Sequence, residues 1–198
     1  MVTRKEQFRK AGAILLSWLG SHKRLVSLVI ALLFVLIVFI DIIIPATIII
    51  TLGIIATFST SYKRFIRMPP ALELITFTTV MVSLAYGPVM GAIYGAVVSF
   101  TAEILTNALD VFIIKFVPTR AFIGLVAGFV FDLLNGNIVF TGLALTILYN
   151  GITQPLDLLL ADVEVRLKSI YFFILNVGFN FIIFAILGKI MISLLGIS

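Results

Sequence analysis

The longest apolar run of the chain, residues 25–61, constrains its fold more than any other feature. Asp41 is the only charged residue in this run and Pro45 its only proline. A helix needs about 20 apolar residues to cross a bilayer, so we predict two spans that turn near Asp41–Pro45. Further apolar runs continue to the C-terminus, and only 12% of the 198 residues are charged. The sequence therefore predicts an all-α, polytopic integral membrane helix bundle with six to seven transmembrane helices.

The segment before this run has a different character. Residues 3–21 place Leu15 and Trp18 on one helical face, with basic residues around that face. This pattern is typical of an amphipathic helix lying at the membrane interface, although a frayed tail is the alternative. The segment is too long and too charged for a secretory signal, so we expect no signal peptide. We predict a cytoplasmic, interfacial segment at 1–24 and a single transmembrane helical domain at 25–198.

Prolines and glycines divide the rest of the chain. Gly87-Pro88 predicts a very tight connection between the third and fourth spans. The end of the fifth span is predicted at Asn135-Gly136-Asn137 and the end of the sixth at Pro155, and a break in the last span is considered at Gly188-Lys189. The predicted spans cover 71–86, 88–109, 120–134, 138–155 and 170–195, joined by an amphipathic connector at 110–119 and a charged loop at 156–169.

The residue types exclude several kinds of chemistry. There are no cysteines and His22 is the single histidine, so thiol nucleophiles and multi-histidine metal sites are excluded. The nucleotide-binding GxxxxGK[ST] pattern and the hydrolase patterns HExxH and GxSxG are absent from the sequence. We expect no enzyme, no cofactor, no metal and no nucleic-acid partner; an intramembrane enzyme built on Glu103 and Arg120 is the minor alternative. We attribute the net charge of +5 to the enrichment of basic residues on the cytoplasmic side of membrane proteins.

Small residues recur at four-residue spacing in the fourth and fifth spans. Rows of this kind allow two helix backbones to approach closely, because no large side chain separates them. We predict helix-packing roles for five glycines: Gly87, Gly91, Gly95, Gly124 and Gly128.

The same spacing carries polar residues towards one end of the bundle. When the spans alternate across the bilayer, the polar ends of the last four meet on one side, and ionisable groups within a membrane are functional candidates. The alternative is that these groups only pair with one another, for example as a Glu103–Arg120 ion pair, while Asp132 at the opposite end is expected to be a helix-end residue. The candidate substrate-binding residues are Glu103, Asn107, Arg120, Asn150, Gln154, Asn176 and Asn180, with Glu73 either lining the same pocket or lying at the interface.

Several motifs resemble the substrate-binding S components of energy-coupling-factor (ECF) vitamin transporters. They are Pro70-x-x-Glu73-Leu74-Ile75-x-Phe77, Tyr86-Gly87-Pro88-x-x-Gly91-x-x-x-Gly95, PTRAFIGLVAGFVF at 118–131 and ILNVGFNFIIF at 174–184. The resemblance covers roughly residues 69–196. Segment 124–145 also looks like the rod-shape-determining MreD family, which implies a membrane scaffold that packs against other subunits and transports nothing.

The S-component resemblance implies a six-helix bundle in the cell membrane that binds a vitamin or small metabolite. It also implies a transmembrane coupling subunit and ATPase subunits as partners, besides the lipid bilayer. The predicted spans exceed that architecture by one. The implied pocket lies between the loop after the first helix and the last three helices, here at Glu73, Arg120, Asn150, Gln154, Asn176 and Asn180.

Two arguments disagree about the side that the polar ends face. Basic residues gather at the same end, namely Lys115, Arg120, Arg166 and Lys168. Because basic residues are enriched in cytoplasmic loops, this charge bias puts the polar ends in the cytoplasm. The S-component resemblance puts them outside the cell. The orientation stays open on sequence grounds.

Overall fold

The structure, a computed structural model, describes Trp18 and residues 21–64, 71–106, 113–160 and 163–197. Within these ranges every regular element is helical, which confirms the all-α prediction. The α-helices of the described ranges are α1 (Lys23–Val38), α2 (Ile40–Ser59), α3 (Ile75–Tyr86), α4 (Pro88–Leu105), α5 (Ile113–Leu133), α6 (Ile138–Leu160) and α7 (Val163–Leu195), and a short 3-10 helix, Ser61–Arg64, follows α2.

Several of these helices have the length and composition of membrane spans. Among the described residues, four segments are long and apolar enough to cross a membrane: Ile40–Ser59, Pro88–Leu105, Ile113–Leu133 and, within α7, Ser169–Leu195. Helix α3 is apolar but has only 12 residues, about 18 Å of helix, against ~30 Å of hydrocarbon in a bilayer. The chain therefore has the helices of a membrane protein, and the total of six to seven spans stays a prediction.

The chain divides into two compact units, residues 1–48 and 49–198. The boundary between these units falls inside α2, and the division into an interfacial segment 1–24 and a transmembrane domain 25–198 stays a prediction. In the first unit, α1 has no buried side chain, which suits a helix that is apolar on all sides and surrounded by lipid. Most of the predicted interfacial helix at 3–21 lies outside the described residues.

The second unit is built around α3. All residues from Ile75 to Ser83 are buried, and α3 contacts α4, α5, α6 and α7. Two apolar clusters surround it: Phe77, Val80, Met81, Ile123, Ala127, Phe131, Ile138, Leu145, Tyr149 and Phe184 form one, and Ala56, Ile75, Val82, Tyr94, Val98 and Ala102 form the other. A short helix enclosed by longer ones brings its N-terminus into the protein interior, and the polar residues beside that end come with it.

Two connections have the tight geometry that the sequence predicts. Gly87 alone separates α3 from α4, at φ 94° and ψ 163°, a conformation that is essentially restricted to glycine. Pro88 takes the first position of α4, where its missing N–H removes no helical hydrogen bond. Helix α5 ends at Leu133, just before Asn135-Gly136-Asn137, with Gly136 at φ 73°. Both predicted connections are confirmed.

Three breaks that we predicted at or near prolines do not fall at those prolines, although residues 25–61 do divide into two helices, α1 and α2, at Phe39. Pro45, Pro118 and Pro155 each lie inside a helix. A proline removes one backbone hydrogen bond, but in an apolar medium the other backbone groups still need their helical partners. As a result, α2 runs through Asp41–Pro45 without the predicted turn, α5 begins at Ile113 inside the predicted connector, and α6 continues past Pro155 to Leu160.

The charged loop predicted at 156–169 is also wrong. Helix α6 reaches Leu160 and α7 begins at Val163, and the residues between them lie outside the described part. The mixed charges of this stretch suggested a solvated loop, yet its leucines, alanine, glutamate, arginine and lysine are good helix formers. Helix α7 then runs through Gly188-Lys189 without the break that we considered there.

Glycines bring α4 very close to α3 and α5. A Cβ atom at Gly91 would lie 2.4 Å from the Cβ atom of Ser83, and one at Gly124 would lie 2.3 Å from the carbonyl carbon of Gly91. At Gly95 it would lie 2.8 Å from the carbonyl oxygen of Arg120. These three glycines therefore lie where no side chain fits.

The other two predicted packing glycines differ from these. A Cβ atom at Gly87 or Gly128 would meet no described atom within 4 Å. Gly87 serves the turn through its backbone conformation. Gly128 does not face the helix contact made at Gly124, because residues four apart on a helix are rotated by about 40° around its axis. A packing role at Gly128 is therefore not seen among the described residues.

Candidate functional site

The non-helical segment 71–74, directly before α3, is held inside the second unit by side chains. Ala71 and Glu73 are buried, and irregular backbone is tolerated at membrane depth only where protein groups satisfy it. Burial raises the pKa of the Tyr62 phenol, which keeps it a neutral hydroxyl beside the segment. The contacts are Asn176 Nδ2 donating to the Ala71 carbonyl, the Leu72 amide donating to the Tyr62 hydroxyl and the Leu74 amide donating to Ser59 Oγ, each at 3.0 Å.

Glu73 and Arg120 form a buried ion pair next to this segment. Arg120 Nη2 donates to Glu73 Oε1 at 2.8 Å, and the side chains of Arg120 and Glu73 are 4% and 1% exposed. Thr76 Oγ1 donates to the same carboxylate oxygen at 2.7 Å, and the amides of Ile75 and Thr76 donate to Oε2. The carboxylate thus lies at the N-terminus of α3, where free amides and the helix dipole stabilise negative charge. Glu73, whose position the sequence left open, is an interior residue.

Arg120 is enclosed on its other sides as well. Its Nη1 donates to Thr76 Oγ1, and its guanidinium carbon lies 3.9 Å from the centre of the Tyr149 ring. A guanidinium over an aromatic face is a favourable cation–π contact. Tyr149 and Thr76 were not among the site residues predicted from the sequence. Usable signals existed: Tyr149 directly precedes Asn150 in a polar row, and Thr76 follows Glu73 by three residues, the spacing of helix N-terminal capping.

Glu103 and Arg120 line one small cavity together with Glu73. Its volume is about 20 Å³, close to the ~10–15 Å³ that one water molecule needs. Ser99 Oγ is buried at this cavity and has no hydrogen-bond partner among the described residues. The lining residues are Thr60, Glu73, Ile75, Ser99, Glu103, Phe116, Arg120 and Tyr149.

The predicted amide residues form a second polar group between α6 and α7. Asn150 Nδ2 donates to Asn176 Oδ1 at 2.9 Å, and Asn180 Nδ2 donates to the Asn176 carbonyl at 3.0 Å. All three side chains are fully buried. The Oδ1 atoms of Asn150 and Asn180 accept no hydrogen bond from any described residue. Because Asn176 also contacts Ala71, this amide group and the ion pair flank the same segment.

Two predicted residues stand apart from these groups. Gln154 Oε1 accepts a hydrogen bond from Ser169 Oγ between α6 and α7, and Gln154 does not line the cavity. Asn107 lies outside the described residues. The structure therefore brings together Glu73, Glu103 and Arg120 in one group and Asn150, Asn176 and Asn180 in a neighbouring one.

The side chains of this site interact with other groups through charge and hydrogen bonding, because they are carboxylates, a guanidinium, hydroxyls and amides. Burial strengthens each of these interactions and also raises the free-energy cost of leaving a group unpartnered. Comparisons of the chain with protein-family models, with curated proteins and with solved structures returned no match. The function is therefore argued from the geometry of the second unit.

Proposed function

We propose that this chain is the membrane-embedded substrate-binding subunit of an ECF-like transport system. It binds a vitamin or small metabolite in the polar interior beside segment 71–74. The observation that carries the proposal is the cavity at which buried Glu73, Glu103 and Arg120 meet the hydroxyl of Ser99, which has no hydrogen-bond partner in the described part of the chain. Ionisable groups buried among membrane helices cost free energy, and they commonly line substrate pathways.

The unpartnered oxygens favour binding over purely structural pairing. A buried polar atom without a hydrogen bond costs roughly 1–3 kcal/mol. Asn150 Oδ1 and Asn180 Oδ1 are such atoms among the described residues. A group that served only to join helices would gain nothing from them, whereas a ligand or a bound water that donates hydrogen bonds would satisfy them.

Entry of a metabolite requires segment 71–74 to move. The cavity of about 20 Å³ holds about one water molecule, far below the several hundred Å³ of a typical ligand pocket. Side-chain hydrogen bonds hold the segment, and such bonds break and re-form more readily than a packed helix interface. We propose that segment 71–74 is closed in this conformation and moves aside to admit the substrate.

The partners follow from the motif resemblance. A transmembrane coupling subunit and ATPase subunits would supply the energy that a binding subunit alone lacks. In this proposal the chain is a multi-pass protein of the cell membrane.

Equilibrium binding tests the proposal. The full chain, purified in nanodiscs, is titrated with a panel of vitamins and small metabolites. We expect one of them to bind, and Glu103→Ala and Asn150→Ala to weaken its affinity at least about tenfold, or ~1.4 kcal/mol. Asp132→Ala, at an exposed carboxylate of α5, is the matched control and should bind as the unmodified chain does. Unchanged affinity in both site variants contradicts the pocket assignment.

One observation favours a second candidate function, a membrane scaffold. An apolar groove of about 350 Å³ lies between α2 and α4, lined mainly by side chains such as Ile54, Ile93 and Val97. A groove of this kind suits a membrane helix of another subunit. Co-purification of membrane partners without ATPases, together with no binding of any small ligand, would favour the scaffold over the binding subunit.

A further inference from the structure

The buried charges of the described residues cancel. Glu73 and Glu103 are the buried carboxylates, and Lys115 and Arg120 are the buried cations. At neutral pH their formal charges sum to zero. A net charge in a low-dielectric interior is strongly disfavoured unless an opposite charge compensates it, so this interior gains nothing from an added ion of either sign.

Arg120, the group best suited to hold an anion, already has its partners. Its guanidinium contacts the Glu73 carboxylate, the Thr76 hydroxyl and the face of the Tyr149 ring. A ligand carboxylate or phosphate would compete with Glu73 for the same guanidinium, and it would add a negative charge that no further buried cation of the described residues compensates. Weakening a buried ion pair in this way is unfavourable. The geometry therefore disfavours an anionic ligand.

The unpartnered atoms near the site indicate which hydrogen-bonding groups the ligand supplies. Asn150 Oδ1 and Asn180 Oδ1 are acceptors that receive no hydrogen bond within the described part of the chain. Ser99 Oγ at the cavity lacks a partner there too, and Gln154 Nε2 is an unpartnered donor farther along α6. The two amide oxygens require N–H or O–H donors, and Ser99 is able either to donate or to accept.

We infer that the substrate is a small solute of zero net charge, neutral or zwitterionic, that donates hydrogen bonds to this interior. The inference rests on the proposed binding function and names the substrate class for the same site. Glu103 and Lys115 affect which substrate binds because, together with the Glu73–Arg120 pair, they set the net charge of this interior.

Isosteric probes that differ only in charge test the inference. Benzamide, benzoate and benzamidine are titrated separately against the full chain in nanodiscs, and so are glutamine and glutamate. We expect the uncharged or zwitterionic member of each set to bind at least about tenfold more tightly than its charged relatives, the ratio that ~1.4 kcal/mol produces. Tighter binding of a charged member overturns the inference and leaves the binding function standing. If none of these probes binds, the ligand found with the vitamin and metabolite panel decides: a ligand with a net charge overturns the inference alone, and the absence of any ligand overturns the binding function and the inference with it.

Variants that unbalance the charge sharpen the test. Glu103→Gln leaves the interior one unit positive and should shift preference towards benzoate by about tenfold. Lys115→Met leaves it one unit negative and should shift preference equally towards benzamidine. Asp132→Asn and Lys189→Met make the same charge changes at exposed positions and should leave the preference unchanged.

Misfolding does not explain the two expected shifts in binding preference, because one is towards benzoate and the other towards benzamidine. Each variant is first checked for a single symmetric size-exclusion peak, and if one fails to fold the other still carries the test. A preference in Glu103→Gln or Lys115→Met that equals that of its exposed control contradicts the inference.

Discussion

At the scale of single residues, Arg120 organises the interior of the second unit. It contacts the Glu73 carboxylate of segment 71–74, the Thr76 hydroxyl of α3 and the ring face of Tyr149 on α6. Because Arg120 stays charged in proteins, its burial depends on these partners. Glu73 in turn depends on Arg120 and on the N-terminal amides of α3. The two side chains therefore act as one unit.

Loss of one member of this pair should destabilise the protein more than loss of both. Glu73→Gln leaves the Arg120 charge buried without its carboxylate, which costs about 3–5 kcal/mol. The double variant Glu73→Gln with Arg120→Met removes both charges, so its free energy of unfolding should recover part of that loss. A double-mutant cycle in detergent, followed by circular dichroism, measures the coupling. Asp132→Asn is the exposed control, and additive losses in the cycle would contradict the account.

At the scale of helices, two short-range features position the site. Helix α3 is short enough to end inside the protein, so Glu73 and segment 71–74 meet the long helices at depth. Where α4 crosses α3 and α5, Gly91 lets the backbones approach closely, and Ser83 Oγ of α3 donates to the Gly124 carbonyl of α5 at 2.6 Å. This crossing sets the distance between Glu103 on α4 and Arg120 on α5. A change at the crossing should therefore affect both stability and the cavity.

Adding one methyl group at two glycines of α5 tests the crossing. At Gly124 the methyl carbon would lie 2.3 Å from the backbone of Gly91, whereas at Gly128 no atom of the described residues would lie within 4 Å. Gly124→Ala should cost about 1–3 kcal/mol of unfolding free energy, as overpacking does. Gly128→Ala should leave stability unchanged or raise it by about 0.5–1 kcal/mol, because alanine favours the helix. Equal stability of the two variants in detergent unfolding would disprove the close crossing.

At the scale of the whole molecule, features that depend on local composition were predictable from the sequence. The apolar runs predict an all-helical membrane protein, and Gly87-Pro88 predicts the tight turn that the structure has. Helix ends were less predictable, because Pro155 marks a helix end in water but is tolerated where every backbone group needs a helical partner. The site was predictable in part. The four-residue spacing of polar residues identifies Glu103 and Arg120 as candidates, whereas the contact of Arg120 with Tyr149 depends on how α5 and α6 pack.

The orientation of the molecule decides how a solute reaches the cavity. The charge bias puts the polar end of the bundle in the cytoplasm, and the S-component resemblance puts it outside. Both alternatives share one requirement, because the cavity must open to water on one side of the membrane. A structural core of paired charges would open on neither side.

Accessibility of Ser99 tests this requirement most directly. The chain contains no cysteine, so Ser99→Cys places a single small thiol at the cavity. In sealed vesicles, a membrane-impermeant thiol reagent is added to one side and then to the other, with Asn135→Cys in the exposed turn and Ala127→Cys in the apolar core as positive and negative controls. We predict that Ser99→Cys reacts from one side only and that a bound ligand slows the reaction. If Ser99→Cys is as inert as Ala127→Cys from both sides, the interior is a sealed structural core and the binding function is wrong.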